Sequence, residues 1–204
     1  MIKNNLAVLL AERGYSATDV FNATKISKTT LTSLVNNTGK GVQFDTINTL
    51  CKFLKIEPKD FFIYTKYDYI LKDFYQMDEI NSSTDPKSGE LLYLQTFYKL
   101  VIFFDDGILP ATFEYVVIGE EDMSESAAGE ILELVEDERN VGLRGYKVLH
   151  NFFEESEKIF VNEFMADLKI FIEEKGTLST NVDREVTIKI FDKIVKVNAP
   201  SKHQ

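Results

Sequence analysis

The sequence predicts two folds in one chain. An all-α head of five short helices covers residues 1–65, and an α+β domain, a mostly antiparallel sheet with two helices, covers 66–204. Three observations carry this reading. Apolar residues in the head recur at spacings of three and four, the helical period. From Tyr67 the pattern turns to alternation and to aromatic and β-branched runs, which favour strands. Charge divides at the same place. Residues 1–65 hold 8 Lys and Arg against 5 Asp and Glu, a balance of +3; residues 66–204 hold 15 against 28, a balance of −13, and the two make the net −10.

In the head, a first helix over 3–13 carries Leu6, Val8, Leu9 and Leu10, and Gly14 ends it. Ser16 and Ser27 suit the starts of the next two helices, 17–24 and 28–36, because a serine oxygen accepts from the free amides of a first turn. Val20, Ala23, Ile26, Leu31, Leu34 and Val35 supply their apolar side. Asn37-Thr38-Gly39-Lys40-Gly41 is a turn-rich loop. Asp45 caps a fourth helix with Ile47, Leu50, Cys51 and Leu54 on its stripe. Pro58 opens a short fifth helix, after which Phe61 and Phe62 pack back on the bundle.

In the second domain, residues 66–75 alternate, with Tyr67, Tyr69 and Leu71 on one face of a strand. A polar loop follows at 81–90, then a strand over 91–104, a turn at Asp105-Asp106-Gly107 and a returning strand at 111–118. The segment 122–138 reads as a helix with Ile131, Leu132, Leu134 and Val135 on its apolar side. A longer helix over 154–175 carries Ile159, Phe160, Phe164, Leu168, Phe171 and Ile172 and ends at Gly176. The segment 184–197 is one strand or a pair of short ones.

The third helix has an outer face of short hydrogen-bonding side chains: Lys28, Thr29, Thr30, Thr32, Ser33 and Asn36. Such a face fits the major groove, where bases are read through donor and acceptor patterns and thymine methyl contact. The whole segment, from Leu6 and Leu10 through AERGYS at 11–16, ISKTTLTSLVNN at 26–37, GKGVQFDT at 39–46 and INTLCKFLKIEPKDFF at 47–62, resembles the helix-turn-helix domain of phage-repressor-like regulators, the Cro/cI or XRE family. Lys25 departs from it, since many relatives carry Gly where this turn can need a positive φ. The resemblance implies that Lys28, Thr29, Thr30, Thr32 and Ser33 lie at or near base edges, and that the cap residue Ser27 also belongs to the DNA-binding set. It implies phosphate contacts for Ser16, Asn36, Asn37, Lys40, Gly41 and Gln43. The helix has no Arg or Gln, so specificity leans on threonine–thymine contact, on Gln43 or Lys28, and on DNA shape.

Other chemistry lacks a constellation. The acidic residues Glu120, Glu121, Asp122, Glu125, Glu130, Glu133, Glu136, Asp137 and Glu138 read as a solvated helix face without the Asp/Asn alternation and central Gly of a calcium loop. One cysteine and two lone histidines make no zinc cluster. Nothing around Ser156, Lys193 or Lys196 resembles the serine–lysine site of self-cleaving repressors, although Ala128-Gly129 is the kind of bond they cut. No metal, cofactor or enzymatic activity is expected. The chain has no apolar run of about 18 residues, the minimum for a spanning helix, and no signal-peptide pattern, so no membrane association is expected. With a single Cys51 this points to the cytoplasm.

The expectation is therefore a dimeric repressor of phage or mobile-element type. It binds double-stranded DNA and dimerises through the second domain. Two alternatives remain: an adaptor or inhibitor whose acidic domain binds a protein while the head serves autoregulation, and a regulator that senses a small molecule in an aromatic pocket lined by residues such as Tyr67, Tyr69, Phe74, Phe97 and Phe104.

Overall fold

In the computed structural model the described residues are 1–89, 91–122, 131–135, 143–178 and 184–199. The chain divides into two compact units, Met1–Thr65 and Lys66–Gln204.

The first unit contains β1 (Ile2–Asn4), α1 (Leu6–Arg13), α2 (Ala17–Thr24), α3 (Lys28–Val35), α4 (Phe44–Leu54), α5 (Pro58–Phe61) and β2 (Phe62–Tyr64). α1 and α4 turn apolar residues at i, i+3 and i+4 onto a common centre, α3 adds Leu31 and Leu34, and α2 and α5 add Val20 and Phe61. The core gathers Leu6, Leu9 and Leu10, Val20, Leu31 and Leu34, Ile47, Leu50, Cys51 and Leu54, and Phe61. Gly14 ends α1 at φ 66°, and Lys55 ends α4 at φ 53°. Pro58 stands at the start of α5, where its missing N–H costs no helical bond.

The head is not all-α, which corrects that expectation. β1 and β2 pair antiparallel, Ile2 opposite Tyr64 and Asn4 opposite Phe62. The first helix consequently starts at Leu6, because Asn4 bonds the Leu6 amide through its own carbonyl Oδ1 at 3.1 Å. Val8 is exposed rather than buried, and Phe62 lies on β2, partly exposed, while Phe61 alone is fully buried. Gln43, not Asp45, precedes α4; Asp45 sits in its first turn, where a carboxylate still favours the positive end of the helix.

The second unit runs β3 (Asp68–Thr84), β4 (Leu91–Asp105), β5 (Ala111–Asp122), β6 (Ile131–Val135), α6 (Leu143–Glu155), α7 (Lys158–Lys175), β7 (Arg184–Ile190) and β8 (Lys193–Ala199). The strands form one sheet in chain order. It is mixed: β3–β4, β4–β5, β5–β6 and β7–β8 pair antiparallel, while β6 and β7 run parallel, and their connection carries both helices, as a parallel pair requires.

Two elements differ from the expectation. Within 122–138, Asp122 ends β5 and residues 131–135 form β6; Leu132 and Leu134 are buried and Glu133 points out. Glu133 therefore belongs to a strand, where it pairs with Lys189 of β7 at 2.7 Å. Most of the acidic run, at 125, 130 and 136–138, and the Ala128-Gly129 bond lie outside the described residues. The second helix of the unit is α6 instead, with Val148, Leu149 and Phe152 buried; the longer helix starts only at Lys158, after a break at Ser156. The 81–90 loop is shorter than expected, since β3 continues to Thr84.

The alternation at the start of β3 also breaks. A register shift between Leu71 and Asp73 makes Phe74, not Asp73, follow Tyr67 and Tyr69 onto the buried side. There the aromatic residues fill space with one another: Tyr69 meets Phe164 at 5.0 Å between ring centres, Phe152 meets Phe164 at 5.5 Å, and Phe74 stacks on Tyr98 at 5.4 Å. Tyr69 donates to Asp167 at 2.7 Å and Tyr115 to the Gly145 carbonyl at 2.9 Å; burial pushes both phenols well above their ordinary range.

Candidate nucleic-acid interface

The local chemistry of α2 and α3 fixes the candidate surface. Ser16 closes a capping box: the Asp19 amide donates to its hydroxyl at 3.2 Å, and its own amide donates to the Asp19 carboxylate at 2.8 Å. The Ser16 hydroxyl also donates to that carboxylate at 2.6 Å, and these bonds hold the Asp19 carboxyl below its usual range. α2 ends at Lys25, which takes a left-handed φ of 61°. Lys25 therefore occupies the conformation that glycine takes without penalty, the one foreseen for this turn.

Ser27 then caps α3. Its Oγ accepts from the Thr30 amide at 3.1 Å and contacts the Thr30 hydroxyl at 2.9 Å. Ser27 and Thr30 are thus engaged with each other, and Thr30 is half-buried. Lys28, Thr29, Thr32 and Asn36 are exposed and fall at i, i+1, i+4 and i+8, one stripe along the helix. The Lys28 ammonium lies over the Phe21 ring at 5.5 Å, so its long side chain is steadied against α2.

Past α3 the expected site residues separate. Ser33 is half-buried, and a Cβ on Gly39 would meet its Oγ at 2.8 Å, so the loop passes close because residue 39 has no side chain. Lys40, Gly41 and Gln43 are exposed on that loop. Asn37 points elsewhere. At φ 52° it turns its amide onto β1, accepting from the Asn4 amide and Nδ2 and donating to the Asn4 carbonyl. Its side chain serves the fold rather than the outer surface. Lys3, Asn4, Ser33, Asn37 and Lys40 line a cleft of about 260 Å³ between β1 and the loop.

Sequence reasoning missed Asn4, Asp19 and Phe21. Asp19 had a local signal, since an acid three residues after a capping serine is the capping-box pattern. Asn4 had little, as its partners other than the Leu6 amide lie 30 and 33 residues away. Among the described residues no helix is long and apolar enough to cross a membrane. No curated protein and no solved structure matches the chain. Residues 5–66, in contrast, match the family model of the Cro/C1-type HTH DNA-binding domain, which supports a DNA-binding transcription regulator.

Proposed function

We propose that the protein is a sequence-specific, cytoplasmic transcriptional repressor of phage or mobile-element type that occludes a promoter as a homodimer. The observation that carries the reading is the exposed stripe Lys28, Thr29, Thr32 and Asn36 on α3, in a segment matching a DNA-binding family. In this reading α3 enters the major groove, with Thr29 and Thr32 against base edges and Lys28 held by Phe21 beside them. Lys40, the Gly41 amide, Gln43 and the Ser16 end of α2 hold phosphates. Asn37 shapes the loop instead of touching DNA.

One head is a small module and binds weakly by itself. Residues 66–204, with their balance of −13, repel DNA and serve pairing of two copies; the same acidity suits a second role as the docking surface for a protein or small-molecule effector. The test is selection of bound DNA from a random pool by the full chain at two salt concentrations. Enrichment of a palindrome with half-sites about 34 Å apart supports the reading. Failure to enrich any sequence at either salt overturns it.

A further inference from the structure

We propose that the outer face of α4 docks a second copy of the head, the two α4 helices packing antiparallel about a two-fold axis beside Asn48. This rests on the dimeric-regulator reading and adds a contact that brings the heads themselves together.

The face is open and joins apolar and charged groups. Phe44, the first residue of α4, is 92% exposed. Beside it runs a groove of about 670 Å³ whose apolar lining is Phe44, Ile47, Cys51, Ile56, Pro58 and Phe62, with Asn48, Lys52, Lys55 and Glu57 lining it as well. At roughly 100° per residue, positions 44, 48, 51, 52 and 55 fall on one side of the helix. A projecting phenylalanine stands at one end of this face, and the recess between Cys51, Ile56 and Pro58 at the other. None of the exposed residues of α3 lines the groove, so filling it leaves the DNA-reading stripe free.

The pattern is self-complementary in one orientation only. Antiparallel pairing sets Phe44 of each copy at the Cys51–Pro58 end of the other, and the two-fold axis makes the contact twice. Asp45 and Lys52 are both exposed and lie seven residues apart, on the same flank. An antiparallel pair centred beside Asn48 places Asp45 against Lys52 of the second copy, again twice. It also aligns the two helix dipoles favourably. A parallel pair would set Asp45 against Asp45 and Lys52 against Lys52, a like-charge arrangement. Charge thus selects a second copy in this orientation over an unrelated apolar partner.

The test uses the full chain with Cys51→Ala to remove the native thiol and Asn48→Cys to place one at the axis. Mild oxidation is expected to link most of this variant as a dimer, while Lys59→Cys in the same background does not link. Phe44→Glu abolishes the link; since Phe44 is exposed, the fold survives the change. Asp45→Lys weakens it, and adding Lys52→Asp restores it. On DNA, the uncharged Phe44→Ala leaves affinity for a single half-site unchanged and weakens binding to paired half-sites by at least about tenfold, the scale on which linked sites reinforce one another. Equal linkage through positions 48 and 59, or linkage indifferent to Phe44→Glu, overturns the proposal. So does a monomer whose Phe44 face is shielded at every concentration. Linkage through position 48 in a chain that selects no DNA sequence keeps the α4 contact and removes the regulator reading; a selected palindrome without that linkage does the reverse.

Discussion

Asn4 and Asn37, 33 residues apart, grip each other through three hydrogen bonds: the Asn4 amide and Nδ2 donate to the Asn37 Oδ1 at 2.9 and 2.8 Å, and the Asn37 Nδ2 donates to the Asn4 carbonyl at 3.0 Å. Asn4 also donates to the Leu34 carbonyl at the end of α3, at 2.9 Å. One buried side chain therefore ties the first strand to the exit of the recognition helix. Asn4→Ala strips partners from the Leu34 carbonyl, the Leu6 amide and Asn37 together. It is expected to cost the head about 1–3 kcal/mol, the scale for leaving buried polar groups unsatisfied. Hydrogen exchange of the α1 and α3 amides reads this in the intact chain, without mixing in the second unit. Exchange unchanged from the parent would show that the grip contributes nothing.

Lys25 makes the opposite case, a residue whose backbone works against it. It holds φ 61° in the turn between α2 and α3 and is exposed. Lys25→Gly removes the Cβ clash of the left-handed region and is expected to stabilise the head by about 1 kcal/mol. Slower exchange across α2 and α3 is the measurement. Asn37 offers the control: it too has positive φ, at 52°, but Asn37→Gly loses the bonds to Asn4 and should destabilise.

The head's helices were legible because their signals are local. The period of Leu6, Leu9 and Leu10 or of Ile47, Leu50, Cys51 and Leu54 sits within one helix, and Gly14, Ser16, Ser27 and Pro58 mark ends by their own chemistry. β1 and β2 were not legible, since three-residue strands show no period and their pairing joins Ile2 to Tyr64 across the whole unit. β6 was misread because glutamates around Leu132 and Leu134 resemble a solvated helix; the two-residue alternation of those leucines was the correct signal. α6 was missed although Val148, Leu149 and Phe152 recur at helical spacing; Gly145, within its first turn, weakens the local helical signal. On the candidate site, the outward stripe Lys28, Thr29, Thr32 and Asn36 follows from helix period alone. The inward turn of Asn37 depends on a distant partner, and no local pattern announces it.

Among the proposed contacts, two substitutions should separate reading from holding. Thr29→Ala removes a hydroxyl and a methyl from the exposed stripe and is expected to cost about 1–3 kcal/mol on the preferred sequence while blurring base preference at one position. Lys40→Ala should weaken every sequence alike and reduce the salt slope by about one. Binding to the selected site and to single-base variants, across a salt series, distinguishes the two. Identical effects of both substitutions on every sequence would refute the division.

Asp19 supplies a pH dependence with a definite sign. The Ser16 hydroxyl, and then the Ser16 amide, stabilise its charged form and hold its pKa below the ordinary carboxylate value. A carboxyl depressed on folding contributes stability that is fully present above its unfolded pKa and is lost as pH falls through the folded one. The capping box therefore supports α2 at neutral pH and lets go in acid. Following the Asp19 carboxyl carbon by NMR should give a midpoint below that of an exposed aspartate, and Ser16→Ala should move it up toward the ordinary value. In parallel, Asp19→Ala should speed exchange of the α2 amides near neutrality, with the difference from the parent closing as the pH drops. A Ser16→Ala titration that coincides with the parent would mean that the bonds at 2.6 and 2.8 Å do not hold the charge in solution.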